Sequence, residues 1–396
     1  MAASLGGAFD ARLARAEEHS PQSTNVFPVM AWDSPPSDLG VLRRMHECGL
    51  TVAGFVPVAA LDHCQAAGLK AIVRDPRVGG YDWLQVDATA AKARVAELVQ
   101  EVKNHPAVFG YYLRDEPTTK LFPGLAIVSS EIKRLHPGAW PYINLFPNYA
   151  NAGGQLGAPT YDKYVEQFIE VCQPTILSYD NYSLLEGGEL RDGYYANLES
   201  MRRAAVEHNL PFWNIVLAVS HFNYREPTSA DARFQAYTSL AYGARGLAWF
   251  KYFTPAIGNY RAGAIDQFGN ETPTWSILQN VNLQISKLGP TLLKLTSDRV
   301  YHFGEVPAGS TGPDDKSLVK AIEGPMLVGD FTHQDGTRYV MIVNKDFTTS
   351  HVCAPQFREA VKSVELVSPY TGEPTPLVGE HVWLAPGQGS LLRLTN

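Results

Sequence analysis

From Asn25 to Leu288 the chain repeats one pattern eight times: a short apolar, β-branched or aromatic run, then an amphipathic helical stretch. Strands this apolar, each separated from the next by a helix, lie parallel and are buried on both faces, because a parallel pair needs a crossover that covers the sheet. The runs are NVFPVMAW (from Asn25), TVAGFVPV, LKAIVRD, VFGYYLRDEP (from Val108), WPYINLF (from Trp140), PTILSYDNY (from Pro174), PFWNIVLAVSH (from Pro211) and GLAWFKYF (from Gly246). Helices are expected near 38–48, 59–67, 88–103, 123–135, 161–172, 195–208, 230–244 and 275–288. Eight such units match a (β/α)₈ TIM barrel. A doubly wound open sheet shares the rhythm, but no GxGxxG or P-loop pattern follows the first strand, which favours the barrel.

After Pro290 the pattern becomes short strands broken by turn signals such as Asp335-Gly336 and Pro386-Gly387, which predicts an antiparallel β-sandwich. The expected organisation is therefore an N-terminal extension (1–24), a catalytic barrel (25–292) and a C-terminal sandwich (293–396). The sandwich is expected to cap apolar surface and carries no candidate catalytic residue.

A net charge of -7 with no Lys/Arg run argues against a nucleic-acid or anionic-membrane partner. No apolar run is long enough to span a membrane. The first twenty residues lack an apolar signal core, so the chain is expected to be soluble, either cytoplasmic or secreted with its leader removed. Cys48, Cys64, Cys172 and Cys353 share no ligand spacing, and the first three fall in helices, so buried free thiols are expected rather than disulfides or a zinc site. No phosphate loop, metal cluster or nicotinamide fingerprint points to a cofactor, and none is expected.

In a parallel barrel, chemistry sits at the C-terminal ends of the strands. Those ends carry Trp32 and Asp33, Asp75, Asp115 and Glu116, Asn144 with Asn148 and Tyr149, then Tyr179, Asp180, Asn181 and Tyr182, His221, and Trp249, Lys251 and Tyr252. Carboxylates, amides and large aromatics on one face suit a sugar pocket, whose polar groups bind hydroxyls while aromatic rings stack on sugar faces. For Asp33 and Asp75 the plainer expectation is an N-cap on the following helix, and for His221 a satisfied loop histidine.

Glycoside hydrolysis ordinarily uses two carboxylates. The seventh strand ends in SHF and meets no acid before Glu226, so a nucleophile at that strand end is missing. A 2-acetamido sugar supplies its own nucleophile, the amide oxygen, and then asks for a general acid and a carboxylate that orients the amide N–H. Adjacent Asp115 and Glu116 meet that demand, and their mutual repulsion raises one of the two pKa values. Consecutive strand residues point to opposite faces, so both acids reach one pocket only if the strand twists or bulges there.

The Arg114–Pro117 segment with its apolar approach resembles the catalytic Asp-Glu pair of substrate-assisted β-N-acetylhexosaminidases, above all the β-N-acetylgalactosaminidases of glycoside hydrolase family 123, and more distantly family 20. TSLAYGARGLAWFKYF and LAPGQGSLLRL are similar to general barrel-glycosidase stretches. The resemblance implies exo action on a terminal N-acetylgalactosamine or N-acetylglucosamine. It implies that Asp115 positions the acetamido group and Glu116 serves as acid, then base. A tyrosine, Tyr182 or Tyr179, would bind the acetamido carbonyl; Trp249 would be the ring-stacking platform, with Asn144, Asp180 and Lys251 on hydroxyls and Trp32, Asp33 and His221 completing the pocket. Two alternatives stand beside this: a clan A-like retaining glycosidase with Glu116 as acid/base and Asp180 or Glu226 as nucleophile, and a non-catalytic carbohydrate-binding barrel.

Overall fold

The computed structural model describes residues 26–395, so the expected 1–24 extension lies outside the described residues. Eight parallel strands alternate with helices: β1 (Val29–Ala31), α1 (Leu39–Glu47), β2 (Val52–Val56), α2 (Leu61–Ala66), β3 (Lys70–Val73), α3 (Ala88–Val102), β4 (Val108–Asp115), α4 (Phe122–Leu135), β5 (Trp140–Asn144), α5 (Tyr161–Cys172), β6 (Leu177–Asp180), α6 (Tyr194–His208), β7 (Phe212–Leu217), α7 (Ser229–Ala241), β8 (Gly246–Phe250) and α8 (Pro273–Leu292). Their order around the sheet is β5-β4-β3-β2-β1-β8-β7-β6. Between β5 and β6 the Leu145 N–H donates to the Ser178 carbonyl at 2.8 Å, so the sheet curls back on itself as a barrel.

α5 shows how local sequence sets an element. Thr160 caps its start by accepting from the Lys163 N–H, and Tyr161, Tyr164, Val165, Phe168, Ile169 and Cys172 fall on one helical face, which is buried. Gln173 ends it in a left-handed conformation. α7 differs, being buried on every side. A capping box between Thr228 and Asp231 starts it, and it lies between the barrel strands and the C-terminal sheet.

That sheet is antiparallel and is built from β9 (Leu295–His302), β10 (Met326–His333), β11 (Arg338–Asn344), β12 (Ser363–Val367), β13 (Pro374–Pro376) and β14 (Gly389–Thr395), in the order β13-β12-β14-β11-β10-β9. One face presses on α7 so closely that a Cβ at Gly329 would overlap the Ala241 carbonyl. The other packs Val328, Val340, Ile342 and Leu392 against Val319, Leu384 and the adjoining Cys353, which lie in or next to two short two-stranded ladders forming the second layer. All four cysteines are buried and free. No helix among the described residues is long and apolar enough to cross a membrane.

The barrel interior is filled from the bottom by aromatic rings. Phe109, Trp140 and Trp213 meet at centroid distances of 4.8–5.9 Å, and a Cβ at Gly246 would overlap the Trp213 indole, so that position needs glycine. Above them Trp32, Phe55, Tyr112 and Tyr142 form a second layer. The polar residues of the candidate site sit on top of this floor.

Candidate active site

The end of β4 breaks the regular strand twice. Tyr112 pairs with Tyr142 and Asp115 with Asn144, while a register shift between Tyr112 and Arg114 inserts Leu113 as an extra residue. That bulge changes the parity of the strand, so Asp115 joins Tyr112 and Asn144 on the interior side instead of facing the helices. The next residue, Glu116, has φ +44°, a left-handed conformation that a non-glycine residue adopts at a cost of about 1–2 kcal/mol. Its N–H donates to the Asn144 carbonyl at 2.9 Å. Together the bulge and the left-handed turn bring two consecutive carboxyls to one mouth.

Asn144 is the hub of the site. Its Oδ1 accepts from the Ser178 hydroxyl at 3.1 Å, and that hydroxyl is also bonded to the Tyr142 hydroxyl at 2.8 Å. With its carbonyl oxygen occupied, the amide turns its NH₂ to the acids, donating to Asp115 Oδ1 at 3.1 Å and to Asp180 Oδ1 at 2.7 Å. Desolvation and the neighbouring Asp115 charge push the Glu116 carboxyl up to about 7. Burial likewise raises Asp115, opposed by the Asn144 hydrogen bond and the Arg114 charge. Asp180 is raised well above the usual carboxylate range, by burial first and then by the charges of Glu116 and Asp115. The site thus has a carboxyl poised near neutrality, a second with a charge-favouring hydrogen bond, and a third that is buried, with burial and its acidic neighbours disfavouring its charge. Among the described residues no three His, Cys, Asp or Glu side chains converge as a metal would require.

An aromatic wall faces these acids. Tyr182 packs on Phe250 at 5.0 Å and lies edge-on to His221 and Tyr224. Arg191 holds its backbone by donating to the Tyr182 carbonyl, and the Tyr182 N–H donates to the Tyr149 hydroxyl at 3.3 Å. Burial raises the Tyr182 hydroxyl well above its usual pKa, and Asp180, Asp115 and Glu116 add to it, so this phenol stays a hydrogen-bond donor beside the carboxyls. His221 is buried, stacks on Tyr260 at 5.0 Å, and donates from Nδ1 to the Val219 carbonyl at 3.1 Å; burial lowers the imidazole's pKa below its usual value.

Several sequence expectations need correction. Trp249 is fully buried on the helix side of β8, where its indole N–H donates to Asn282 of α8 at 2.8 Å, so it offers no stacking face to a sugar. Tyr179 is fully buried among the helices near Tyr161 and Tyr194, which leaves Tyr182 as the tyrosine at the mouth. Asp33 is no N-cap, since Asp38 caps α1. Instead its Oδ2 accepts the N–H groups of Tyr252 and Phe253 at 2.8 and 3.1 Å, and its Oδ1 pairs with Lys251 at 3.1 Å. This buried clamp ties the first strand end to the eighth and commits both charges to each other. Asp75 does cap the short helix Pro76–Gly79. Glu226 is exposed and paired with Arg261 at 2.9 Å. Trp32 stays on the interior side, edge-on to Phe55. Phe250, Tyr260 and Ser178 belong to the site but escaped the sequence reading; strict alternation along GLAWF and TILSYD, counted from an inward Ala248 and Asp180, would have found Phe250 and Ser178.

No family model matches the chain, and no curated protein matches it. Solved structures are similar to it in fold. A glycoside hydrolase aligns over 93% of this chain and 92% of its own, with a TM-score of 0.55 and 11% identity. A glycoside hydrolase family 5 protein from Bacteroides vulgatus ATCC 8482 aligns over 94% and 89%, at TM-score 0.55 and 12% identity. A β-galactosidase from the psychrophilic Marinomonas ef1 aligns over 68% of this chain at TM-score 0.50 and 11% identity, and the match spans 62% of that protein's length. At such identities the likeness is one of fold.

Proposed function

We propose that the protein is a glycoside hydrolase that removes terminal 2-acetamido sugars by a substrate-assisted, retaining route. The observation that carries the reading is the pairing of Asp115 and Glu116 at one mouth through a bulge and a left-handed residue. In the first step the acetamido oxygen attacks C1 while Glu116 gives its proton to the departing glycosidic oxygen. Asp115 accepts a hydrogen bond from the amide N–H and balances the positive charge of the oxazolinium. In the second step Glu116, now a carboxylate, takes a proton from water as it attacks C1 and reopens the ring, giving net retention. Tyr182 serves the acetamido carbonyl, and Asn144 holds Asp115 and Asp180 in place for the amide and the sugar hydroxyls. The barrel likeness to glycoside hydrolases supports the class, and the family resemblance of the Asp-Glu-Pro segment favours the galacto over the gluco sugar.

A second reading has Asp180 as a direct nucleophile, because it shares the mouth with Glu116; its burial, which disfavours the charged form a nucleophile needs, weighs against it. The deciding experiment compares an aryl 2-acetamido-galactoside with the matching aryl galactoside. Cleavage of the first only, with inhibition by a thiazoline analogue, is expected. Equal turnover of both sinks the substrate-assisted route. If neither is cleaved, and no aryl 2-acetamido-glucoside is either, the hydrolase reading fails.

A further inference from the structure

Between the ends of β3 and β4, next to Asp115, lies a cavity of about 520 Å³. Asp115, Tyr112, Gly79, Gly80 and the flanking arginines Arg74 and Arg114 are among the residues that line it. The remaining acid on its lining is already committed: both Asp75 oxygens are held by the Arg77 guanidinium at 2.9 Å. The two flanking arginines are not. Among the described residues, Arg74 is exposed and reaches only the Ser34 hydroxyl, at 3.5 Å, and Arg114 is exposed with no ion pair. Both lie close enough to the Tyr112 hydroxyl to favour its ionised form, and Arg114 does the same for Asp115. A neutral sugar ring has no use for two such arginines lining one cavity. Their planar donor forks match the oxygens of a carboxylate or sulfate.

We propose that this cavity is a subsite for an acidic group, a carboxylate or a sulfate ester, on the glycan unit adjoining the 2-acetamido sugar. The proposal rests on the reading of the mouth as a glycan site, and it deepens that reading from any acetamido glycan to an acidic one. An anion seated between Arg74 and Arg114 would hydrogen-bond to both and accept a further bond from Tyr112.

The test is titration calorimetry on the Glu116→Gln protein, which removes turnover, with and without the added pair Arg74→Gln/Arg114→Gln. Three disaccharides of 2-acetamidogalactose serve as probes, linked to glucuronate, to a sulfated hexose, or to plain glucose. At least one acidic probe should bind about tenfold or more tighter than the neutral one, since charge-assisted bonds are the strong ones. That preference should vanish in the arginine variant, shrink at about 0.5 M NaCl, and survive in Arg114→Lys. Which acidic probe binds identifies carboxylate or sulfate. Equal affinity for all three, or a preference that the arginine variant leaves intact, overturns the subsite. Hydrolysis of the aryl acetamido sugar is read separately with the native residue at 116. Turnover without charge preference defeats the subsite alone, and charge preference without turnover defeats the hydrolase reading alone.

Discussion

Glu116→Gln should make the protein more stable at pH 8 while abolishing its activity. In the fold, desolvation and the Asp115 charge raise the Glu116 carboxyl from 4.5 to about 7. At about 1.4 kcal/mol per pH unit, that rise is equivalent to about 3 kcal/mol against the ionised form. The side chain keeps access to water at the mouth, and screening reduces the expected effect to about 1–2 kcal/mol. The sign follows from linkage: the folded state holds this proton more tightly than the unfolded chain, so native stability declines as pH rises from about 4.5 to about 7. Glutamine never ionises and escapes that decline. It also leaves residue 116 in the same left-handed conformation, so the comparison isolates the charge. Thermal unfolding of both proteins from pH 5 to pH 9 reads the difference. The variant should gain about 1–3 °C above pH 7, given how unfolding entropy scales with chain length, and almost nothing near pH 5. A gain that does not depend on pH, or a loss at pH 8, would refute the claim that Glu116 is an electrostatically strained acid.

Wild-type kcat/KM should fall as pH rises through about 7, where Glu116 loses the proton it must donate, and this basic limb should disappear if another residue is the acid. Asn144→Leu should cost about 2–4 kcal/mol, because it strips buried Asp180 and Ser178 of a partner, and should lower kcat about 100-fold; an unchanged melting temperature would show that the hub does not matter. Trp249→Phe should destabilise by about 1–3 kcal/mol through its lost bond to Asn282 and lost packing, yet leave KM unchanged. Tyr182→Phe should do the opposite, with an altered rate at near-native stability. Breaking the buried clamp with Asp33→Ala should cost about 3–5 kcal/mol by orphaning Lys251 and two backbone N–H groups, measurable by urea unfolding.

The residues whose placement followed from sequence are those whose neighbours in the chain decide them. Thr160 and the apolar face from Tyr161 to Cys172 specify α5 with no help from elsewhere, and Pro117 marks the end of its strand. The acids at 115 and 116 could be placed at a strand end for the same reason. The misplaced residues are those decided by parity. Trp249 and Tyr179 were expected at the mouth, yet they sit on the helix side of β8 and β6. Leu113, the bulge residue that turns Asp115 inward, looks in sequence like any strand leucine.

The order of the elements, the change from βα units to antiparallel strands, and the carboxyl pair at a strand end were therefore determined by the sequence alone, because hydrophobic periodicity and turn chemistry act over a few residues. Which of two alternating side chains faces the mouth was decided only by the tertiary structure. Barrel strands are apolar on both faces, so no local contrast marks the inner one. The choice falls to contacts between distant segments, such as Trp213 filling the space at Gly246 and Asn144 drawing Asp115 and Asp180 together.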